Sequence, residues 1–276
     1  MKAAVLLTLL MLMGCNATIA KKKSAAPMSA VPLTAEESAT AARVSDVGKE
    51  IFARDIRTAE ASDLLLERIY PGNYPNFVGW VAYPNQEDYT VSFYEKNPEQ
   101  VSIIADVIYD KNGIPEISIE PKREPSQTEI TMLNARLAAL ENGVNSCSHH
   151  FNTVVVPGEN EEEWDVFILA ANMDPHAVQV GGHTKVSVSK ATPTITRTTP
   201  LSKSCLVINK IGGDVPEGAE IHMLTVSHVL SAYPAETHAY LSLLHAIPFA
   251  VITERGVWLV KDGNIEFAPK TKSGER

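Results

Sequence analysis

The sequence predicts an α+β protein with a largely antiparallel sheet, a long N-terminal helix, one further helix and a strand-rich C-terminal half. Its patterned segments are grouped as helix, strands, helix, strands, without the alternation that parallel βαβ units require. Two segments have apolar residues at helical spacing, and most of the rest consists of β-rich runs between Gly, Pro and Asn. The composition, 45% hydrophobic and 21% charged over 276 residues, is typical of a folded domain.

The first fifteen residues combine the cation Lys2, the apolar run 3–13 and Cys15, and in this they resemble the signal peptide of bacterial lipoproteins. Lys2 precedes the apolar run 3–13, which has the length of a signal-peptide core and is too short to span a bilayer permanently. Residues 12–15 (LMGC) resemble a lipobox. The resemblance implies that Cys15 becomes the mature N-terminus and carries a diacylglycerol and an acyl chain such as palmitate, an effectively permanent anchor. An ordinary secretory signal, cut after Ala17 or Ala20 with Cys15 discarded, is the alternative.

The lipobox also suggests a location and a domain organisation. Removal of residues 1–14 leaves the lipidated end and a tether over 15–33, which is rich in Ala, Ser, Lys and Pro. Asn16 rather than Asp follows the cysteine, and by resemblance to enterobacterial sorting rules this implies the outer membrane, facing the periplasm. We expect one globular domain over 34–268, because both helices have large faces to bury, and a polar tail over 269–276.

Two helices have clear start signals. Thr34 and Glu37 form the pattern of a capping box, and one long or broken helix is predicted over 35–69. Ser126 and Glu129 form a second capping box, which opens a helix. Its apolar stripe is Ile130, Leu133, Leu137 and Leu140, and its stop signal is Asn142-Gly143.

Strands are predicted for most of the remaining chain. Between the helices, residues 78–119 read as a meander of three or four strands, and Asn112-Gly113 favours a two-residue hairpin turn. Lys261-Asp262-Gly263-Asn264 predicts another hairpin near the C-terminus. After the second helix the predicted strands are 151–156, 164–171, 177–189, 194–199, 206–209, 220–230, 238–244, 249–253, 257–260 and 265–267.

The two cysteines that follow Cys15 predict a disulfide. Cys147 and Cys205 are an even pair in a chain with an export signal. The alternative is that Cys147 is a nucleophile with His149, His150 or His183 as its base. In cysteine peptidases of the cell wall the nucleophile opens a helix, whereas a β-branched run follows Cys147 here, which favours the disulfide.

The histidines are unevenly distributed, since all eight lie between residues 149 and 245. His228, Glu236, His238 and His245 could supply three nitrogens and one carboxylate to Zn²⁺. A strand would place His238 and His245 on opposite faces, whereas a helix would place them on one face about two turns apart. Structural or surface histidines around a turn are the competing interpretation, and the sequence favours it.

The charge and the motifs limit the possible functions. A formal net charge of -9 lacks the basic patch that a nucleic-acid binder needs. No motif assigns a catalytic residue, so the sequence favours a binding protein over an enzyme without deciding between them. Our first hypothesis is an envelope lipoprotein that binds a partner protein or a cell-wall ligand and needs no cofactor. The alternatives are a metal-dependent hydrolase and an immunity or inhibitor lipoprotein against a cell-wall hydrolase.

Four segments of the mature chain carry a second resemblance: 164–171 (WDVFILAA), 180–183 (VGGH), 202–205 (SKSC) and 234–242 (PAETHAYLS). They resemble exported proteobacterial proteins of unassigned function. The resemblance extends over most of the mature chain and implies no activity, so it adds no site residue.

Overall fold

The computed structural model describes residues 31–142, 147–210 and 221–268, and it has the predicted α+β fold. The predicted signal peptide, Cys15, most of the tether, Gly143 and the tail lie outside these residues. Within them, no helix is both long and apolar enough to cross a membrane. The helices are α1 (Ala35–Arg68), α2 (Gln127–Asn142) and α3 (Glu236–Leu244). The strands are β1 (Phe77–Pro84), β2 (Tyr89–Lys96), β3 (Val101–Tyr109), β4 (Pro115–Ile119), β5 (Phe151–Pro157), β6 (Glu163–Ala170), β7 (Ala177–Gln179), β8 (Thr184–Ser189), β9 (Ile195–Pro200), β10 (Val207–Asn209), β11 (Leu224–Ser227), β12 (Phe249–Ile252), β13 (Val257–Lys261) and β14 (Asn264–Ala268).

The described strands form three four-stranded sheets and one short ladder. The meander sheet has the order β1-β2-β3-β4, the central sheet β5-β6-β8-β9 and the C-terminal sheet β11-β12-β13-β14. The short strands β7 and β10 pair with each other. Strands β11 and β12 run parallel, because α3 connects them as a crossover, and the other described pairs are antiparallel.

Both predicted capping boxes are confirmed. The Thr34 hydroxyl accepts a hydrogen bond from the backbone N–H of Glu37 at 3.1 Å, and the Glu37 carboxylate accepts one from the backbone N–H of Thr34 at 2.7 Å. Ser126 and Glu129 make the same reciprocal pair at 3.3 and 2.9 Å. Helix α1 is continuous rather than broken.

The two predicted hairpins both form, but only one of them has the predicted two-residue turn. Asp262 and Gly263 have φ angles of 50° and 75° and form the expected two-residue turn between β13 and β14. The connection between β3 and β4 is longer than predicted, because the Asp110 carboxylate accepts hydrogen bonds from the backbone N–H groups of Asn112 and Ile114 at 2.8 Å each. This side chain stabilises a wider loop.

Helix α3 replaces the strand predicted over 238–244. Every residue from Glu236 to Ser242 is buried, the polar ones included, so this stretch of the helix has no exposed polar face. A fully buried helix and a fully buried strand both appear as continuous apolar runs, and periodicity does not separate them. The helix starts because the His238 imidazole accepts a hydrogen bond from the backbone N–H of Ala235 at 2.9 Å, as a capping glutamate would.

The strand predicted over 177–189 is divided into β7 and β8 at Gly181 and Gly182. Gly182 has a φ angle of 95°, which favours glycine. A Cβ atom on Gly181 would lie 2.0 Å from the carbonyl oxygen of Ser204. These two glycines therefore permit a tight turn against a neighbouring loop.

The central sheet is buried on both faces at its inner strand β6. In β6, Val166 and Ile168 pack in the cluster that contains the apolar residues of α2, whereas Phe167 and Leu169 pack in the cluster shared with α1 and α3. Adjacent strand residues point to opposite faces, so this strand contributes to both clusters. Helices α1 and α2 thus cover opposite faces of one sheet.

The N-terminus of α3 is positioned by a close contact with α1. A Cβ atom on Gly48 would lie 2.5 Å from the Cβ atom of Ala239 and 2.6 Å from the carbonyl oxygen of Glu236. The two helix backbones therefore approach each other here as closely as a glycine permits. This contact fixes where α3 presents Glu236 and His238.

A buried charge network attaches the start of α2 to the meander sheet. The Arg123 guanidinium contacts the carboxylates of Asp106 at 2.7 Å and Glu129 at 2.8 Å, and both carboxylates are buried. Burial raises the pKa of Glu129, but hydrogen bonds from Arg123 and Ser126 outweigh it and lower this pKa to about 2. Phenol groups of Tyr83 and Tyr94 also donate to Glu129. Each charged group of the network has hydrogen-bond partners within it, so we interpret the network as structural.

Candidate functional site

The structure brings together two of the four predicted zinc ligands. The rings of His228 and His238 lie with centroids 5.2 Å apart. Glu236 instead accepts a hydrogen bond from Lys185 at 2.7 Å. His245 follows the last turn of α3, roughly 10 Å along the helix from His238. Among the described residues, no three His, Cys, Asp or Glu side chains are grouped to hold a metal ion, so these four do not form one ligand set.

The predicted disulfide between Cys147 and Cys205 is confirmed, with the two Cα atoms 5.2 Å apart. The alternative of a Cys147 nucleophile is not supported, because its sulfur is already bonded. His149 and His150 are exposed, and His183 has other hydrogen-bond partners.

We call the cavity around His228 and His238 the histidine cleft. It lies between the loop 201–206 after β9, the end of β11 and the start of α3. One part, of about 150 Å³, is lined by both imidazoles. A neighbouring part, of about 220 Å³, contains Lys185 and Glu236 and shares Leu201, His228 and Leu230 with the first.

His238 presents a hydrogen-bond donor to the cleft. Its Nδ1 accepts the backbone N–H of Ala235, so the proton of the neutral ring is on Nε2. Burial, with a smaller contribution from His228, lowers the pKa of His238 to about 3, and the ring is neutral near pH 7. Its Nε2–H makes no hydrogen bond with any residue that the structure describes. This donor is therefore available to a bound group.

His228 presents a hydrogen-bond acceptor next to the His238 donor. The Ser231 hydroxyl donates to the carbonyl oxygen of Tyr233 at 2.5 Å, and it therefore accepts a hydrogen bond from His228 Nε2 at 3.2 Å. This assignment leaves Nδ1 of His228 unprotonated. Burial lowers the pKa of His228, and the nearby Glu236 carboxylate opposes the change. The cleft thus offers one N–H donor and one imidazole acceptor side by side.

His183 has a structural role beneath the cleft. Its Nδ1 accepts the backbone N–H of Ala170 at 3.1 Å, and its Nε2 donates to the carbonyl oxygen of Gln179 at 3.0 Å. Both nitrogens are used and the ring is 1% exposed. Burial lowers its pKa to about 4. His183 therefore holds the turn between β7 and β8 and is not a ligand-binding group.

The cleft wall at residues 201–206 is fixed to that turn. Gly182 donates its backbone N–H to the Ser202 hydroxyl at 2.8 Å, and Gly181 donates to the carbonyl oxygen of Leu206 at 2.9 Å. Cys205 in the same loop is bonded to Cys147. The disulfide therefore positions one wall of the cleft.

The rim of the cleft is apolar, while its floor is polar. Leu206, Val229 and Leu230 are all exposed at the opening. Sequence reasoning missed Lys185, Ser202 and Ser231 as parts of this site, because they come from segments that meet only in the fold. The only sequence signal was the concentration of histidines in this half of the chain.

Comparisons with protein-family models, with curated proteins and with solved structures found no match to this chain.

The neutral histidines predict a loss of stability in mild acid. His183 and His238 titrate near pH 6.5 when unfolded but only near 4 and 3 when folded, so the unfolded state binds more protons in between. The two histidines therefore leave the free energy of unfolding at its highest value above pH 6.5, and this free energy decreases as the pH falls below 6.5. We expect a decrease on the order of 2 kcal/mol per histidine between pH 7 and 4.5, measured by urea unfolding.

A variant identifies the source of this decrease. The Gln side chain of His238→Gln keeps an acceptor for the Ala235 N–H but does not titrate. The decrease in the free energy of unfolding between pH 7 and 4.5 should therefore be smaller in this variant, by about the contribution of one histidine. The low pKa of Glu129, about 2, affects stability chiefly below pH 4.5, outside this interval. Equal pH dependence in the two proteins would contradict the assignment.

Proposed function

We propose that the protein is a lipid-anchored binding protein of the bacterial envelope, and that the histidine cleft binds its ligand. The observation that carries this proposal is the His238 Nε2–H, a donor that lines the cleft on a residue only 5% exposed and has no partner among the described residues. The ring cannot turn this donor away from the cleft without losing the helix cap, because its Nδ1 accepts from Ala235. An acceptor on a ligand would therefore meet a donor that is already oriented.

The chemistry of the cleft suggests the class of ligand. A carbonyl or hydroxyl oxygen would accept from His238, and a hydroxyl or amide N–H would donate to His228. The exposed side chains of Leu206, Val229 and Leu230 add an apolar contact next to these polar atoms. A peptide-like group has this combination, whether it belongs to an envelope protein or to a cell-wall ligand.

The N-terminal sequence supports the location. The lipobox-like residues 12–15 provide an anchor, and residues 16–33 have the composition of a flexible linker. Eighteen residues of such a linker span roughly 20 Å between their ends. The domain would then lie close to the membrane that holds Cys15.

The hydrolase hypothesis has less support from the geometry. Glu236 is neutralised by Lys185, and His245 lies at the other end of α3. Its four residues would need to rearrange in order to share one ion. A binding function needs no such rearrangement.

Site-specific crosslinking in growing cells tests the proposal. A photoreactive phenylalanine analogue at Val229, which is 64% exposed on the cleft rim, should yield an adduct with the ligand. The same group at Ile114, which is 63% exposed in the loop between β3 and β4, is the matched control and should not yield that adduct. His238→Glu should weaken the Val229 adduct by about tenfold, since its carboxylate keeps the helix cap but has no N–H to donate.

Fractionation and lipid labelling of the same cells test the anchor. The full chain should fractionate with membranes and incorporate labelled palmitate, and Cys15→Ser should abolish both. An adduct that forms equally from Ile114, or that is unchanged by His238→Glu in a folded protein, would contradict binding in the cleft. Membrane association that survives Cys15→Ser would contradict the anchor.

A further inference from the structure

A second cavity, which we call the Asp55 cavity, lies between α1, β5, β6 and the end of α3. Its volume is about 250 Å³, larger than the roughly 150 Å³ that is enough to hold a benzene molecule. It shares no lining residue with the histidine cleft. Its polar residues include Asp55, Asn152, Tyr240 and His245, and its apolar walls include Leu169 and Leu244.

Asp55 is a buried carboxylate held by neutral groups. Its side chain accepts hydrogen bonds from the Tyr240 hydroxyl at 2.8 Å and from the Asn152 amide at 3.0 Å, and the residue is 6% exposed. Among the described residues, no Lys, Arg or His nitrogen forms an ion pair with it. Each of its oxygens can accept a further hydrogen bond. The carboxylate therefore lines the cavity with unused acceptor capacity.

Three of the other four buried carboxylates among the described residues face a cation; the fourth, Asp165, accepts a hydrogen bond from the Ser187 hydroxyl at 2.6 Å and, unlike Asp55, does not line the cavity. Asp106 and Glu129 contact Arg123, and Glu236 contacts Lys185. Isolated buried charge is costly unless it is paired. In keeping with this, burial raises the pKa of Asp55, an effect that the hydrogen bonds from Tyr240 and Asn152 only partly oppose. A cation in the cavity would supply the missing partner.

We propose that the Asp55 cavity binds a primary ammonium group on an alkyl chain. An ammonium has three N–H donors, and the cavity offers both oxygens of Asp55 and the side-chain oxygen of Asn152. That amide oxygen has no donor among the described residues. The apolar walls, including Leu169 and Leu244, would contact the alkyl chain.

The remaining titratable neighbours are compatible with this ligand. Tyr240 keeps its proton, since burial and the Asp55 carboxylate raise its pKa well above the usual value. Burial and the charge of Lys210 lower the pKa of His245, so this ring is neutral near pH 7. The charge of Lys210 affects the pKa of His245 but does not contribute to the pKa shift of Asp55.

Calorimetric titration of the full chain with n-butylammonium chloride tests the proposal, with n-butanol at equal ionic strength as the neutral probe. The ammonium should bind at least about tenfold more tightly than the alcohol, because its hydrogen bonds to Asp55 are charge-assisted. Asp55→Asn should remove this preference. His238→Gln should leave it unchanged, which separates this site from the histidine cleft.

A second pair of variants keeps Asp55 in place. Ala59 is an exposed residue of α1 at the cavity, and Ala59→Trp should block the cavity to both probes. Ala39→Trp, at an exposed position of α1 distant from Asp55, should bind like the original protein. Equal affinity for ammonium and alcohol, or undiminished ammonium binding in either Asp55→Asn or Ala59→Trp, would overturn the proposal. Any of these outcomes would leave the proposed role of the histidine cleft unaffected.

Discussion

Replacing Cys147 and Cys205 together by serine is expected to lower the free energy of unfolding by about 4 kcal/mol. The two residues are separated by 58 positions, and the bond restricts a long loop of the unfolded chain. The bond also holds residues 201–206 against the turn at Gly182. We therefore expect the double variant to lose ligand crosslinking at the histidine cleft as well as stability.

Two measurements separate the stability effect from the cleft effect. Urea unfolding at pH 7 gives the loss of stability, and reduction of the original protein should reproduce it. Hydrogen exchange of the Gly182 amide, which donates to Ser202, reports the cleft wall. Its protection should fall by more than that of amides in the meander sheet under native conditions. A loss below about 1 kcal/mol with full protection of Gly182 would contradict this account.

The parts of the fold that the sequence predicts correctly are specified by short-range chemistry. A Thr or Ser three residues before a Glu satisfies two backbone donors locally, so both capping boxes could be identified without tertiary information. The turn at Asp262-Gly263 is similar, because both residues tolerate positive φ. Such signals need only a few adjacent residues.

Helix α3 and the site depend on long-range contacts, which the sequence pattern does not contain. The α3 helix is buried against α1 through Gly48, nearly 190 residues earlier in the chain. The roles of His183 and His238 depend on which backbone groups face their nitrogens in the fold. Residue type alone therefore suggested a zinc ligand at His238, where the structure has a helix cap, and a base for Cys147 at His183, where it has a structural imidazole.

Arg54 links three parts of the fold from within α1. Its guanidinium donates to the carbonyl oxygens of Ala82 in β1 at 2.5 Å and Val155 in β5 at 2.8 Å. It also pairs with Glu50 at 2.7 Å, and the side chain is only 3% exposed. Tyr89 donates to the same carboxylate at 2.6 Å. One cation therefore joins α1 to the meander sheet and to the central sheet.

Arg54→Met should lower the free energy of unfolding by roughly 3 to 5 kcal/mol, because removing one partner of a buried charge network leaves the others unsatisfied. Methionine has a similar length and helix propensity, so neither packing volume nor helix formation accounts for such a loss. Arg43→Met is the matched control on the same helix, since its side chain is 42% exposed and lies 3.4 Å from Glu159. The control should cost less than about 1 kcal/mol in the same urea titration. Similar losses in the two variants would mean that Arg54 contributes no more to stability than an exposed charge does. Other contacts would then join α1 to the two sheets.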